Sequence, residues 1–185
     1  MQFSNIKSKF PIFKQKIKGK PLVYLDSANS SQKPKTVIDE ISRFYETEFS
    51  NVGRSVHTLA VKATNKFEET RDTVKSYINA KHREEIIFTK GATEAINLVA
   101  NTYGEKFIKA GDEIIVTELE HHSNYVPWHY LRNKKKAVIK FAKVNENLEI
   151  QVDEIKKLIT NKTKIIAITH ICNVTGGITL SLIHI

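Results

Sequence analysis

From residue 84 onward the chain alternates between two rhythms, and this alternation limits its fold more than any other feature. Four short runs are rich in isoleucine and valine: "EEIIFT" (84–89), "DEIIVT" (112–117), "AVIKFAKV" (137–144) and "KIIAITH" (164–170). Each has the length and composition of a buried strand. The intervening stretches have helical spacing. "GATEAINLVANTYGEKFIKAG" (91–111) turns Ile96, Val99, Ala100, Tyr103 and Phe107 inward and sets Gly111 just past its end. "SNYVPWHYLRNKK" (123–135) and "QVDEIKKLIT" (151–160) supply the next helices. Strands alternating with helices pair in parallel through right-handed crossovers. The expected fold is therefore α/β, a three-layer, mainly parallel sheet.

The N-terminal part has a different pattern. Residues 3–17 read as a short amphipathic helix broken by Pro11, and "PLVYLD" (21–26) as an extended piece. "KPKTVIDEISRFYETEF" (33–49) aligns Val37, Ile41, Phe44, Tyr45 and Phe49 on one helical face, with Pro34 suited to a first turn. "VHTLAVKATNKFEETRDTVKSYINA" (56–80) repeats the pattern through Leu59, Ala63, Phe67, Thr70, Val74, Tyr77 and Ile78.

Composition removes several function classes. No run reaches the roughly 18 apolar residues that span a bilayer. The lysine-bearing N-terminus has no apolar core of a secretory signal, so the cytoplasm is the default location. The single cysteine, Cys172, excludes an internal disulfide and a multi-cysteine zinc site. Its place just beyond "KIIAITHI" favours a packed side chain over a nucleophile. The net charge of +9 comes mostly from lysine, clustered at 14–20 and 132–140. With few arginines and no interleaved aromatics, these clusters read as a solvated surface, not a nucleic-acid groove. Neither nucleic acid nor membrane is expected as a partner.

In open α/β sheets ligands bind beyond the carboxyl ends of the strands. Gly91-Ala92-Thr93 opens a helix there, and its free N–H groups and the Thr93 hydroxyl could hold a phosphate. The same residues could form a plain helix start with Glu94 in the first turn. Glu120-His121-His122 follows the second apolar run. The imidazoles could stack on a ring, carry protons or simply hydrogen-bond the loop; no second cluster with metal spacing accompanies them. Asn173, after the fourth run, could donate its amide to a ring oxygen or hold a turn. Together, an anion cradle, an imidazole and an amide suit a flat, phosphorylated cofactor.

Five stretches, "YLDSANSSQKP" (24–34), "VHTLA" (56–60), "GATEAINLVAN" (91–101), "EHHSNYVPW" (120–128) and "ITHICNVTG" (168–176), carry a specific likeness. In order and spacing they resemble the N-terminal half of cysteine desulfurases. The branch is that of the SUF iron–sulfur assembly system, which shades into selenocysteine lyases. These are class V aminotransferase enzymes of pyridoxal 5'-phosphate (PLP) fold type I. The resemblance implies PLP as cofactor. Thr93 and the N–H of Ala92 would meet its phosphate, His121 would stack on its ring and move protons, and Asn173 would bond its phenolic oxygen. His57 would stand near the substrate entrance. L-cysteine as substrate, a sulfur-acceptor protein and a homodimer are implied likewise. Alanine at position 92 departs from the usual hydroxyl residue. Gly53 and Ser55 stand where the family often has histidine and glycine.

The resemblance divides the chain into a helical segment (1–20), part of the PLP-binding large domain (21–177) and an atypical tail (178–185). The family's PLP-attaching lysine, ring-nitrogen aspartate, sulfur-accepting cysteine and substrate arginines all lie beyond the position of Asn173. Cys172 precedes that position and does not match the sulfur acceptor, and no earlier lysine fits the attachment site. A fragment is therefore expected, with an open sheet edge and an apolar, aggregation-prone tail. These 185 residues incubated alone with PLP and L-cysteine should release no sulfide above a blank; steady turnover would contradict the fragment reading. The rival of another class is a non-catalytic phosphate- or nucleic-acid-binding module. Heparin retention that falls steeply with salt would favour its nucleic-acid form.

Overall fold

The computed structural model describes residues 6–179. The chain divides after Phe88 into two compact units. No helix among the described residues is long and apolar enough to cross a membrane.

In the first unit, the helix expected over residues 3–17 is seen at Ile6 and Lys7 and does not continue to residue 17; residues 3–5 lie outside the described part. Pro11–Lys14 make a 3-10 turn, and β1 (Lys16–Ile17) pairs antiparallel with β2 (Lys20–Pro21). Between the strands Lys18 and Gly19 have φ of 50° and 77°, the left-handed pair that a two-residue hairpin turn needs. Beyond Pro11 this hairpin stands where helix was expected, because Pro11 limits helix growth and Gly19 supplies the reversal. Residues beyond Pro21 in "PLVYLD" join no strand.

Two helices follow, α1 (Lys35–Thr47) and α2 (Thr58–Tyr77), both within the expected spans. The face of α1 is amphipathic as read, yet none of its residues is buried: Val37, Ile41 and Tyr45 stay exposed, as does Phe49 beyond it. In α2, Ala60 and Ala63 are buried. Glu48, the cap of α1, joins the two helices: it pairs with Arg43 of α1 at 2.9 Å and with Lys66 of α2, and Arg43 also reaches Glu40 at 2.5 Å. The Arg43 hydrogen bond, then that of Lys66, holds the Glu48 carboxyl at about 2, below its ordinary 4.5. A carboxylate depressed in this way stabilises the folded state at neutral pH and loses that contribution as pH falls from about 4.5 toward 2. Glu48→Gln should flatten this acid limb, read as amide exchange across α1 and α2 against pH. An unchanged limb would deny the cluster a role.

Residues 84–89 correct the sequence reading. Arg83–Glu85 form a 3-10 turn, and the backbone then extends from Ile86 but enters no ladder among the described residues. Ile87 and Phe88 are exposed. Apolar composition makes a segment able to be a strand; only a neighbour's hydrogen bonds make it one. Arg71 secures the segment instead, donating to the Ile86 carbonyl and lying 5.1 Å from the ring centres of Phe67 and Phe88.

The second unit holds the parallel sheet. Its strands are β3 (Glu113–Thr117), β4 (Val138–Ala142) and β5 (Thr163–Ala167), in the order β4-β3-β5. Three strands thus stand where four were expected. Central β3 is buried throughout. Its alternate residues meet opposite layers. Ile114 and Val116 pack with Ala100, Trp128 and Leu131 on one face, and Ile115 packs with Ile150 and Ile155 on the other. The first layer comes from α3 (Ala92–Val99, continued by a π turn, Ala100–Gly104) and α4 (Val126–Lys135). The second comes from α5 (Val152–Leu158). At the amino end of β3, buried Glu113 pairs with Lys140 at 2.8 Å and accepts from Thr160 at 2.7 Å and Thr163 at 3.1 Å. These partners, Lys140 first, hold its carboxyl below the usual range.

The π turn corrects the inward face read for 91–111. Ala100 is buried and Ile96 packs against the core, but Val99, Tyr103 and Phe107 are exposed and Ile108 is buried instead. A π turn interrupts the 3.6-residue phase from which those positions were read. It also places Gly104 against α4, where a Cβ would lie 2.5 Å from Leu131 Cδ1. Gly104→Ala would gain up to about 1 kcal/mol of helix propensity. Overpacking costs about 1–3 kcal/mol, and fully buried Leu131 has little room to retreat. A net loss of about 1–2 kcal/mol is expected from denaturant unfolding, and a gain would show that the contact yields freely.

Candidate functional site

The crossovers set where a ligand can enter. From β3 to β4 the chain runs through α4 over the Ile114 face; from β4 to β5 it runs through α5 over the Ile115 face. The connections leaving β3 and β4 therefore depart on opposite sides, and β5 ends beside β3 at the same carboxyl edge of the sheet, the edge at which ligands enter such folds.

Glu120 joins those two ends. Its Oε1 accepts from the Thr117 hydroxyl at 2.7 Å and from the Thr169 N–H, beyond β5, at 2.8 Å. Its Oε2 accepts from Asn124 Nδ2 at 2.6 Å, and Asn124 Oδ1 accepts from Trp128 Nε1 at 3.1 Å. Glu120, Asn124 and Trp128 fall four residues apart, so one short stretch fixes the exit of β3 and the start of α4. The sequence reading missed Asn124 and Trp128 in this role; their spacing inside "EHHSNYVPW" was the available signal.

His121 follows directly and caps a 3-10 turn, His122–Asn124. Its Nδ1 accepts from the Ser123 N–H at 3.2 Å. An accepting Nδ1 puts the proton of the neutral ring on Nε2. The side chain is exposed, with Nε2 open to a ligand. Glu120 and Asn124 hold this loop. His122 lines a cleft of about 320 Å³ with Thr117, Glu118, Glu120, Tyr125 and Phe141.

Beyond β5 the chain makes a tight turn. The Cys172 N–H donates to the Gly177 carbonyl at 2.9 Å, and Ile171 bridges Ile178. Cys172 is buried, as its position suggested. Hydrogen bonds from Thr175 hold its thiol below the usual value, while burial and the nearby charge of Glu120 oppose them. Asn173, the next residue, is exposed.

The helix start is the third part. Ala92 is the first residue of α3 and Thr93 the second, and among the described residues no side chain caps them. Glu94 turns outward to accept the Lys90 N–H at 2.6 Å, leaving the N–H groups of Ala92 and Thr93 free. The Thr93 hydroxyl is exposed. Helix α3 packs against the His122–Asn124 turn. His57 belongs to the first unit, where its Nδ1 accepts from the Ala60 N–H at 3.3 Å and caps α2. No group of three or more His, Cys, Asp or Glu among the described residues is placed to hold a metal.

The start of α3, the His121 imidazole and the Asn173 amide each offer a donor at an exposed position, chemistry that suits oxygen-rich ligands. Residues 23–181 match the family described as Aminotransferase class-V. The chain belongs to the class-V aminotransferase family.

Members of the class-V family work with pyridoxal phosphate. Relatives include a "Probable cysteine desulfurase" of Staphylococcus aureus (strain COL), 50% identical over 167 residues, covering 90% of this chain and 40% of that protein. A protein of the same description from Staphylococcus epidermidis matches to the same extent. Among solved structures, the apo cysteine desulfurase of Thermococcus onnurineus superposes with a TM-score of 0.86 at 32% identity, over 96% of this chain and 42% of that one. The cysteine desulfurase CsdA of Escherichia coli gives 0.77 at 35% identity, over 96% and 43%. The α/β fold is thus that of the class-V cysteine desulfurases, and the chain spans about 40% of the length of the curated relatives it matches.

Proposed function

We propose that these residues form the cofactor-holding part of a cytoplasmic, homodimeric cysteine desulfurase of the SUF type. In that reaction L-cysteine and a protein thiolate become L-alanine and a protein persulfide, whose sulfur passes to an acceptor protein for iron–sulfur clusters. The C–S bond of the substrate breaks, an S–S bond forms, and a proton replaces sulfur on carbon. Bound pyridoxal phosphate supplies the electron sink for breaking that bond. The chain's residues do the rest of what concerns this half. Thr93, with the N–H groups of Ala92 and its own backbone, holds a phosphate at the positive end of α3. His121 lies against a ring and carries a transferable proton on Nε2. Asn173 donates its amide to a ring oxygen, and His57 stands on the substrate side.

The observation that supports this most is the Glu120 bridge, because it fastens the exits of β3 and β5 from which His121 and Asn173 emerge. The test uses the natural polypeptide containing these residues. Loaded with pyridoxal phosphate and supplied with L-cysteine and a reductant, it should form alanine and sulfide in equal amounts. Alanine without sulfide, or neither product, would overturn the assignment.

A further inference from the structure

Glu120 links the two strand exits that lead to His121 and Asn173, and its hydrogen bonds define what atom types can occupy its place. Trp128 Nε1 can only donate, so Asn124 must turn Oδ1 toward it and Nδ2 toward Glu120. Glu120 Oε2 must therefore accept. The Thr169 backbone N–H can also only donate, so Oε1 must accept as well. A carboxylate alone satisfies both demands. Glutamine, the same shape, would present an NH2 to one of two donors, leaving a half-buried pair unmade.

We propose that Glu120 is a positioning residue of the cofactor site: its carboxylate, accepting from both strand exits and from Asn124, sets the separation of His121 and Asn173. The proposal rests on the cofactor site described above. Its reach toward Asn173 has a second support, because the Glu120 charge acts on Cys172, the neighbouring residue in the turn. It also explains why adjacent imidazoles follow an acidic residue: the carboxylate faces inward to the sheet ends, which leaves the His121 ring outside.

The donor logic supplies its own rescue. In Glu120→Gln with Asn124→Asp, the glutamine Oε1 accepts from Thr117 and Thr169. Its amide donates to the aspartate, whose second oxygen accepts from Trp128. Charge and shape are conserved and only the direction of one hydrogen bond reverses. The experiment titrates apo natural polypeptide with pyridoxal phosphate and, separately, follows exchange of the Thr169 amide proton. Glu120→Gln should weaken cofactor affinity about tenfold and speed Thr169 exchange about tenfold. The double variant should recover both to within about threefold. Equal affinity in wild type and Glu120→Gln would overturn the positioning role while leaving the cofactor site standing. So would failure of the double variant to recover what the single one lost. Absence of pyridoxal phosphate binding in wild type would instead sink the site reading beneath it.

Discussion

Cutting Leu131 back to alanine is expected to cost the second unit about 3–4 kcal/mol. Leu131 is fully buried on α4 and packs in the cluster of Ile114, Val116 and Trp128 against the central strand. Removing its side chain forfeits transfer energy and leaves a cavity whose walls belong to three elements: the strand, α4 and the π turn at Gly104. The strand cannot close the gap, because β3 is held on both sides by β4 and β5. The turn at Gly104 can close only a little of it. Hydrogen exchange of the β3 amides should accelerate by about two orders of magnitude or more, since 1.4 kcal/mol corresponds to a factor of ten. Exchange within threefold of wild type would mean that the helix layer is not what stabilises the sheet.

Thr93→Val should weaken pyridoxal phosphate binding by about 10- to 100-fold, with folding stability nearly unchanged. The reasoning is again one of donors. A hydrogen bond to a charged group contributes about 1.5–3 kcal/mol, and valine keeps the shape of threonine while removing the hydroxyl. Among the described residues no hydrogen bond uses that hydroxyl: Asn97 bonds the Thr93 carbonyl, and Glu94 bonds the Lys90 N–H. The second position of α3 is exposed, so its β-branched replacement disturbs no core. The comparison of affinity with melting temperature separates a ligand contact from a helix cap. Loss of stability without loss of affinity would make Thr93 an ordinary helix start, the alternative that residues 91–94 left open when read alone.

How much of this was visible in the residues depends on the range of the interaction involved. Strands β3, β4 and β5 were legible because isoleucine-rich runs of that length have few other uses. The same reasoning failed at "EEIIFT", since pairing is a property of two segments and the sequence of one does not name its neighbour. Phase errors arose where local geometry changed without a local marker. Tyr103 and Phe107 fit a helical stripe, and only the π turn moves them outward. Burial of Cys172 followed from its position at the end of an apolar run. His121 and Asn173 were found as polar residues at strand ends, yet the carboxylate that joins those ends was not. The Glu120 contact with Thr169 spans 49 positions, and no periodicity encodes it.

The central claim is that one site, at the carboxyl ends of β3 and β5 beside the start of α3, receives a phosphorylated ring. A crystal structure of the natural polypeptide with pyridoxal phosphate tests it most directly. The phosphate should sit within hydrogen-bonding distance of the Thr93 hydroxyl and the Ala92 N–H, with the His121 imidazole against the ring and the Asn173 amide at its phenolic oxygen. Density for the cofactor against any other surface, with the start of α3 bare, would contradict it.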